Sequence, residues 1–338
     1  MVDVPAAMDR HLEVIRCRSD GSLIMGASRL TGRYWTGSLW HFQDPSVAPH
    51  VEQCTAGVQT EAGIADLQLI NDNQLIVASD SGAIEMWQLS EEGESFQTLW
   101  YSYAHDSTVH TVSTAPDANA AVSGGADATI KIWDLETKLA MKTLKAHTDT
   151  IWCISCSPMD KHVFLSCAQD GRALMWDTRK EKAACSLGKG VIGGVPTCIT
   201  WSANRQTDIT IGCETGEVLM LELRNQSQPV HRWRPHTRTV HRLAYCPQEP
   251  SWLATVSDDC DVVVTSLQTD PNIVYQNSDH QDMVRGVSWS PAGQQLHSCG
   301  WDTKVLHHKL DGFDRPSPTQ QMDCNLLNGE TANRKTQH

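Results

Sequence analysis

The stretch AHTDTIWCISCSPMDKHVFLSCAQDGRALMWDTR, residues 146–179, carries the pattern that decides the fold. It contains three short apolar runs: Ile151 to Cys156, Val163 to Cys167, and a third that ends at Trp176. A Ser-Pro turn separates the first two runs, and a Gln-Asp-Gly turn separates the last two. Short runs rich in Val, Ile, Phe and Trp and bounded by Pro, Asp and Gly are typical of β-strands. The stretch therefore predicts a three-stranded β-meander.

Four residues have fixed positions in this unit: a His before the first run, a Ser in the second, an Asp in the turn and a Trp in the third. Other parts of the chain repeat them. The His-to-Asp separation is 22 or 23 residues, and the Asp-to-Trp separation is 6 in the two complete sets. In the two later sets, Thr265 and His308 stand in the Trp position. The sets are His105, Ser123, Asp127 and Trp133; His147, Ser166, Asp170 and Trp176; His236, Thr255 and Asp259; and His280, Ser298 and Asp302.

The spacing of these histidines gives the period of the repeat. His105 and His147 are 42 residues apart, whereas His147 and His236 are 89 residues apart, so a unit without its His lies between them. Repeats of about 40–45 residues with these landmarks resemble WD40 repeats, each of which forms one blade of a β-propeller. Seven units begin near residues 11, 60, 105, 147, 195, 236 and 280. The sequence thus predicts an all-β fold, a seven-bladed WD40 β-propeller.

The predicted domain organisation has three parts. Residues 1–10 form a short polar arm, residues 11–310 form the propeller, and residues 311–338 form a polar tail whose composition predicts disorder. No strand pattern follows Leu310, so the last unit lacks a fourth strand of its own. Because an open propeller would leave a sheet edge unpaired, we expect the N-terminal arm to supply that strand.

Composition indicates a soluble protein of the cytoplasm and nucleus. The 338 residues include no apolar signal segment and no run of transmembrane length. Twelve cysteines follow no disulfide framework, which favours reduced thiols. Cys153 and Cys156 suggest a metal site, but residues three apart on a strand point to opposite faces. We therefore expect neither a metal nor another cofactor.

The recurring Ser, His and Asp residues resemble hydrolytic groups, but their repetition favours a structural role. A catalytic triad occurs once in an active site, whereas this set occurs in four units. In each unit the His can bridge the Ser or Thr hydroxyl and the turn Asp, while Trp donates its indole N–H. The sequence contains no nucleophile elbow, phosphate-binding glycine loop or zinc-ligand spacing. We expect a protein that is not an enzyme.

Several further runs are not general WD40 motifs. They are RSDGSLIMGAS (residues 18–28), GRYWTGSLW (32–40), AGVQTEAGIADL (56–67), LIVASDSGAIEMW (75–87) and WDTKVLHH (301–308). Together they resemble the methylosome WD-repeat protein family, over roughly residues 8 to 310. The resemblance implies a non-catalytic subunit that docks on the N-terminal barrel domain of the type II protein arginine methyltransferase in a hetero-oligomer. It also implies a role in presenting histone tails and spliceosomal Sm proteins for symmetric arginine methylation.

The net charge of −13 fits such a role, because a negative field attracts Arg-rich chains and repels nucleic acid. We therefore expect no direct binding to nucleic acid or to a membrane. Two alternatives remain open. Residues 176–179, Trp-Asp-Thr-Arg, fit the WDxR pattern of substrate receptors of cullin-type ubiquitin ligases. In the second alternative, the propeller is a scaffold in another nuclear complex.

The predicted partner-binding residues are Arg33, Tyr34 and Trp35. They belong to an insert between the second and third strands of the first unit, where the well-formed units have a short turn. Arg, Tyr and Trp dominate the hot spots of protein interfaces. The insert is therefore expected at the solvent-facing rim, where the methyltransferase docks. The alternative is that Trp35 packs against a neighbouring blade, as we expect for Trp40.

Overall fold

The computed structural model describes residues 7–31, 34–145, 147–203, 205 and 207–310. These residues form 27 β-strands and two short 3-10 helices. The strands make seven antiparallel sheets, and each sheet consists of strands that follow one another along the chain. No helix in this part of the chain is long and apolar enough to cross a membrane.

The seven sheets are numbered in the order in which their strands occur along the chain. The first two sheets contain β1 (His11–Cys17), β2 (Leu23–Thr31), β3 (Tyr34–Phe42) and β4 (Ala56–Thr60), then β5 (Ile64–Leu69), β6 (Gln74–Ser79), β7 (Ala83–Leu89) and β8 (Phe96–Tyr103). The third and fourth contain β9 (Val109–Thr114), β10 (Ala120–Gly125), β11 (Ile130–Asp134) and β12 (Leu139–Leu144), then β13 (Ile151–Cys156), β14 (Val163–Ala168), β15 (Ala173–Asp177) and β16 (Cys185–Leu187). The fifth and sixth contain β17 (Pro196–Trp201), β18 (Asp208–Cys213), β19 (Val218–Glu222) and β20 (His231–Trp233), then β21 (Val240–Tyr245), β22 (Trp252–Ser257), β23 (Val262–Ser266) and β24 (Asn272–Asn277). The seventh contains β25 (Val284–Trp289), β26 (Gln295–Gly300) and β27 (Val305–Lys309), and the 3-10 helices Pro45–Val47 and Val51–Gln53 lie between β3 and β4.

The seven sheets are arranged as a closed ring. The first strand of each sheet contacts the first strand of the next, from β1 and β5 through to β21 and β25. β25 of the seventh sheet contacts β1 of the first, which closes the ring. The first strands therefore surround a central channel, and each sheet is one blade. The predicted all-β, seven-bladed propeller is confirmed.

The hydrophobic core lies between neighbouring blades. One cluster of buried side chains joins Leu12 and Met25 of the first blade to Cys299 and Val305 of the seventh. Inner strands are covered on both faces, so their apolar residues form nearly continuous runs, and every residue of β18 is buried. Outer strands are covered less, and Leu139 of β12 is largely exposed. The apolar runs of the sequence thus follow from the stacking of blades.

The seventh blade does not gain the fourth strand that we expected from the N-terminal arm within the described residues. This blade has three strands within the described ranges. Residues 7–10 of the arm form no strand, and Asp9 accepts a hydrogen bond of 3.1 Å from Gln59 of β4 in the first blade. The expected closure of the last blade by the arm is therefore not met by residues 7–10. Residues 1–6 and 311–338 lie outside the described ranges, so the predicted limits of arm and tail stay predictions.

Candidate partner-binding surface

The repeated polar residues of the fourth blade form one hydrogen-bonded network. His147 Nε2 lies 2.7 Å from Ser166 Oγ, and its Nδ1 lies 3.0 Å from Asp170 Oδ2. Trp176 Nε1 donates to the same hydroxyl at 2.8 Å. The third blade has the same bonds among His105, Ser123, Asp127 and Trp133. Each network ties the segment before the first strand to the second strand, the following turn and the third strand.

The sixth blade keeps this network without a Trp. His236 lies 2.8 Å from the hydroxyl of Thr255 and 3.0 Å from Asp259, so the His bridge is unchanged. Thr265 occupies the Trp position, and its buried hydroxyl has no hydrogen-bond partner among the described residues. An unpaired buried hydroxyl is unfavourable. The sixth blade therefore contains an unpaired buried hydroxyl at the position where the complete networks have a hydrogen-bonded Trp.

In the seventh blade a histidine replaces the missing Trp. His280 lies 2.8 Å from Ser298 Oγ and 3.0 Å from Asp302 Oδ2. His308 Nε2 lies 2.8 Å from the same hydroxyl, and its Nδ1 lies 2.9 Å from the Tyr275 hydroxyl of the sixth blade. The His-for-Trp exchange thus leaves the Ser hydroxyl fully hydrogen-bonded.

The Ser and Thr hydroxyls of these networks are closed to solvent. All four residues are completely buried, so none is accessible to a substrate as a nucleophile. Burial also lowers the pKa of His147 despite the Asp170 carboxylate beside it, which keeps the ring neutral at neutral pH. The geometry is that of a structural network in which buried polar groups satisfy one another.

The predicted partner-binding insert belongs to a long hairpin. β2 and β3 have nine residues each, and their pairing continues to Thr31 and Tyr34. The second strands of the other six blades have six residues each. The insert therefore extends the strands instead of interrupting them. Arg33, together with Gly32, lies outside the described residues.

Tyr34 and Trp35 lie near the tip of this hairpin in different surroundings. The Tyr34 side chain is 76% exposed. Trp35 is half-buried, because its ring lies 5.6 Å from the ring of His11 and its Cβ adjoins Gly63 at the start of the second blade. Trp40, in contrast, is completely buried. Trp35 is thus held against the first two blades while part of it stays accessible.

Two exposed tyrosines that the sequence analysis missed lie at the same boundary between blades. Tyr101 and Tyr103 are 60% and 58% exposed on β8, the outer strand of the second blade, and their rings are 5.7 Å apart. Tyr103 faces Glu61, which directly follows β4 of the first blade. We call Leu30, Tyr34, Tyr101 and Tyr103 the aromatic rim. Its four side chains are each more than half exposed.

The end of the central channel on this face forms a second candidate surface. Near the start of the first strand of every blade, the pairing register skips one residue, which defines a β-bulge. All seven skipped residues, and also Trp35, line a cavity of about 590 Å³ that we call the channel mouth. The skipped residues are Glu13, Ala65, His110, Trp152, Thr197, His241 and Arg285.

A second set of side chains completes the channel mouth. These are the residues that directly follow the second strands of five blades. They line the same cavity and are Asp80, Gln169, Glu214, Asp258 and Trp301. Each has its backbone N–H bonded to a carbonyl near the start of the first strand in its own blade. The fold therefore places two rings of side chains, from different strands, around one opening.

The channel narrows around a buried ion cluster. A second cavity of about 530 Å³ lies at the other end, and Cys153 and Arg242 line both cavities. Asp66, which is 1% exposed, accepts hydrogen bonds from Arg16 at 3.3 Å and from Arg242 at 2.6 Å. Because one carboxylate serves two guanidinium groups, the cluster fixes the first, second and sixth blades relative to one another.

The two cysteines that suggested a metal site point away from each other. Cys153 Sγ lies 3.6 Å from the carbonyl of Ile199 in the fifth blade, and Cys156 Sγ lies 3.6 Å from the carbonyl of Ser113 in the third. Within the described ranges, no three His, Cys, Asp or Glu side chains are grouped so that they could hold a metal ion.

The WDxR pattern forms a local ion pair on the fourth blade. Arg179 donates from Nε and Nη2 to the carboxylate of Asp177, at 2.8 Å in both cases. These hydrogen bonds lower the pKa of Asp177 to about 2. The Arg179 side chain is 61% exposed. This local ion pair does not test whether the chain is a substrate receptor of a ubiquitin ligase, so that interpretation stays a prediction.

Comparison with known proteins agrees with the propeller. Residues 94–134, 139–177 and 271–307 match the family model of the WD domain, G-beta repeat. Among solved structures, the chain is similar to a chain of the COPII outer coat vertex on membranes, with a TM-score of 0.77 and 19% identity. That match covers 90% of this chain and 86% of the other. At such low identity, the likeness shows the fold alone.

Similarity to curated proteins is more specific. The chain is 23% identical to Protein valois of Drosophila melanogaster, over 85% of this chain and 83% of that protein. It is 39% identical to Methylosome protein WDR77 of Xenopus laevis, over 93% of this chain and 94% of that protein. The resemblance predicted from the sequence runs is therefore confirmed, and the chain belongs to the family of methylosome WD40 proteins.

Proposed function

We propose that this chain is the non-catalytic WD40 subunit that docks a type II protein arginine methyltransferase, through the N-terminal barrel domain of the enzyme, in a hetero-oligomer. In that complex it helps present histone tails and spliceosomal Sm proteins for symmetric arginine dimethylation, in the cytoplasm and the nucleus. Identity to a methylosome protein over nearly the whole chain supports this assignment. The structural observation that carries it is the aromatic rim beside Trp35.

The aromatic rim has the composition of a binding surface. Four large side chains on two adjoining blades are each more than half exposed, although their burial would be favourable. Exposed apolar patches on soluble proteins mark interaction sites. Tyr side chains bury a large area and also offer a hydroxyl for hydrogen bonding, which explains their enrichment at interfaces. The rim is therefore the surface on which we expect the methyltransferase to dock.

Trp35 extends this surface toward the channel. Its ring already rests against His11, so little side-chain freedom remains to be lost when a partner covers it. Immobilising a freely rotating side chain costs about 0.5–1.5 kcal/mol, and a pre-positioned ring avoids part of that cost. A half-buried Trp next to an exposed Tyr34 is thus suited to act as the anchor of the interface.

The charge of the chain supports a role with cationic substrates. The net charge is −13, and Arg-rich tails are attracted by such a field. The same field disfavours nucleic acid and anionic lipid surfaces. Closed Ser and Thr hydroxyls in the four networks support a binding role and not a hydrolytic one.

Replacement of Trp35 by Ala tests the docking surface. Loss of the anchor ring should weaken the complex with the methyltransferase by about 2 kcal/mol or more, which corresponds to roughly 30-fold in Kd. Titration calorimetry of the purified enzyme against wild type and W35A measures this change. Tyr34→Ala should weaken the complex in the same direction, since it removes an adjoining part of the rim.

Met159→Ala is the matched control, because Met159 is 64% exposed on the fourth blade, away from the rim. This variant should bind the enzyme like wild type. Melting curves of all variants show whether the propeller is intact. Unchanged affinity of W35A, or its early unfolding, would contradict the docking surface. Absence of enzyme binding by the wild-type chain would contradict the proposed function as a whole.

A further inference from the structure

The channel mouth is divided into two unlike halves. In the half formed by blades six, seven and one, charged groups pair with each other. Glu13 accepts hydrogen bonds from Arg285 at 3.2 Å and from Trp301 Nε1 at 3.0 Å. Arg285 also lies 5.7 Å from the centre of the Trp301 ring and is hydrogen-bonded to His241, which pairs with Asp258. A guanidinium group of the protein itself therefore occupies this half.

The half formed by blades two to five also contains carboxylates and aromatic rings, but no guanidinium group is paired with those carboxylates among the described residues. Asp80 of the second blade and Glu214 of the fifth accept hydrogen bonds from backbone N–H groups. Neither carboxylate forms an ion pair with a Lys, Arg or His in the part of the chain that the structure describes. Between them along the ring lie His110 and Trp152, with ring centres 5.0 Å apart and planes inclined by 43°. Two carboxylates thus flank an aromatic pair.

Small residues keep this half open. Ala65 and Thr197 occupy the bulge positions of the second and fifth blades, where the other blades have Glu, His, Trp or Arg. At Gly63, an added Cβ would lie 3.0 Å from Asp80 Oδ2 and 3.1 Å from Trp35 Cβ. A side chain at this position would therefore press against both groups. The glycine therefore allows a carboxylate and a second Trp to stand side by side at the opening.

The electrostatics of this half favour a positively charged guest. Burial raises the pKa of Asp80 to about 6, so at neutral pH the side chain is an ionised carboxylate held in a partly desolvated place. Burial, and to a smaller extent the positive charge of Arg285, lower the pKa of His110 to about 4, so its ring is neutral. Arg285 itself is paired with Glu13. Charge and π-face attraction are both stronger where water is excluded.

We propose that this half of the channel mouth binds the guanidinium group of an arginine in a peptide. The opposite half shows a comparable arrangement within the protein, where Arg285 lies over the Trp301 ring and donates a hydrogen bond to Glu13. A guest guanidinium would lie on Trp152 and donate to the flanking carboxylates. A planar group with several donors suits a flat ring and a carboxylate better than a compact ammonium does. The inference rests on the proposed function, since it names the site that holds an arginine-containing substrate.

Peptide titration of the full chain, without the methyltransferase, tests this site. The probe is a synthetic peptide of alternating Gly and Arg, compared with peptides that carry Lys or the neutral analogue citrulline instead. Wild type should bind the Arg peptide at least tenfold more tightly than the other two. Trp152→Ala and Asp80→Asn should each weaken Arg-peptide binding at least tenfold, because one removes the stacking ring and the other the charge.

Glu136→Gln is the control, because Glu136 is an exposed acid on the third blade outside the mouth. It should leave the affinity unchanged. If Trp152→Ala lowers the melting temperature, the affinity of Asp80→Asn for the Arg peptide is the measurement that tests the site. Equal binding of the three peptides, unchanged affinity of Asp80→Asn, or no binding by wild type overturns the proposal. Both mouth variants should still bind the methyltransferase, so failure of this site and failure of the proposed function give different results.

Discussion

Replacement of His147 by Ala tests whether the repeated polar networks stabilise the propeller. The His147 side chain is completely buried and bridges Ser166 on β14 and Asp170 in the following turn. Alanine cannot make either bond, and it leaves a void where the ring was. The network then loses the side chain that joins the Ser166 hydroxyl to the segment before the first strand of the blade.

The two former partners of His147 are affected differently. Asp170 keeps hydrogen bonds from Thr148 N at 3.0 Å and from the Arg172 side chain at 2.6 Å, so its carboxylate stays satisfied. Ser166 keeps the bond from Trp176, but its own buried proton loses its acceptor. An unsatisfied buried group costs about 1–3 kcal/mol, and the void adds about 1 kcal/mol. We therefore expect the free energy of unfolding to fall by about 3 kcal/mol.

For a chain of this size, that loss corresponds to a melting temperature lower by roughly 5–10 °C, measured by circular dichroism. His50→Ala is the matched control, since His50 is exposed and its side chain caps no helix. This control should stay within about 0.5 kcal/mol of wild type. The folded fraction of H147A should still bind the methyltransferase. If H147A melted like wild type and yet abolished activity of the complex, the structural role of the networks would be refuted.

Two further predictions concern buried polar groups. Thr265→Val should raise the free energy of unfolding, measured in urea, by about 1 kcal/mol, because it removes an unpaired buried hydroxyl at nearly constant shape. A variant less stable than wild type would show that the hydroxyl is hydrogen-bonded. Burial lowers the pKa of His297 and His308 to about 4, below the ordinary value near 6.5. Between these two values the unfolded state binds more protons than the folded state, so the free energy of unfolding falls as pH drops from 7 to 5. The expected loss is about 2 kcal/mol per His at pH 5, and equal urea midpoints at the two pH values would contradict it.

The fold could be predicted from the sequence because its signals are local and repeated. A blade is built from strands adjacent in sequence, so turns and apolar runs reveal it without knowledge of distant contacts. The polar networks obey the same logic, since His147 and Asp170 belong to one unit of the repeat. Even the blades without a complete network were counted correctly, because their strand pattern and the 89-residue gap kept the period.

The candidate sites could be predicted only in part, because they depend on contacts between units. Tyr34 and Trp35 stood out as large residues in an unusual insert, but the pairing of Thr31 with Tyr34 could not be read from their sequence. The signal for Tyr101 and Tyr103 was present in FQTLWYSY, an outer strand with four aromatic residues. The bulges are invisible in the sequence, since a skipped pairing leaves no change in composition.

The positions of the two surfaces have a consequence for how the subunit works. Trp35 lines the channel mouth and directly follows Tyr34 of the aromatic rim in β3, so the two surfaces adjoin each other. In the complex that we propose, an enzyme docked on the rim would lie next to the proposed peptide site. If binding at one surface changes the affinity at the other, this coupling is reciprocal by thermodynamic necessity. The first two blades pack directly against each other through β1 and β5, so the proposed peptide site and the proposed docking surface keep a fixed spacing. A rigid spacing of this kind is what a presenting subunit has to provide, since it converts a free substrate tail into one already near the catalytic partner.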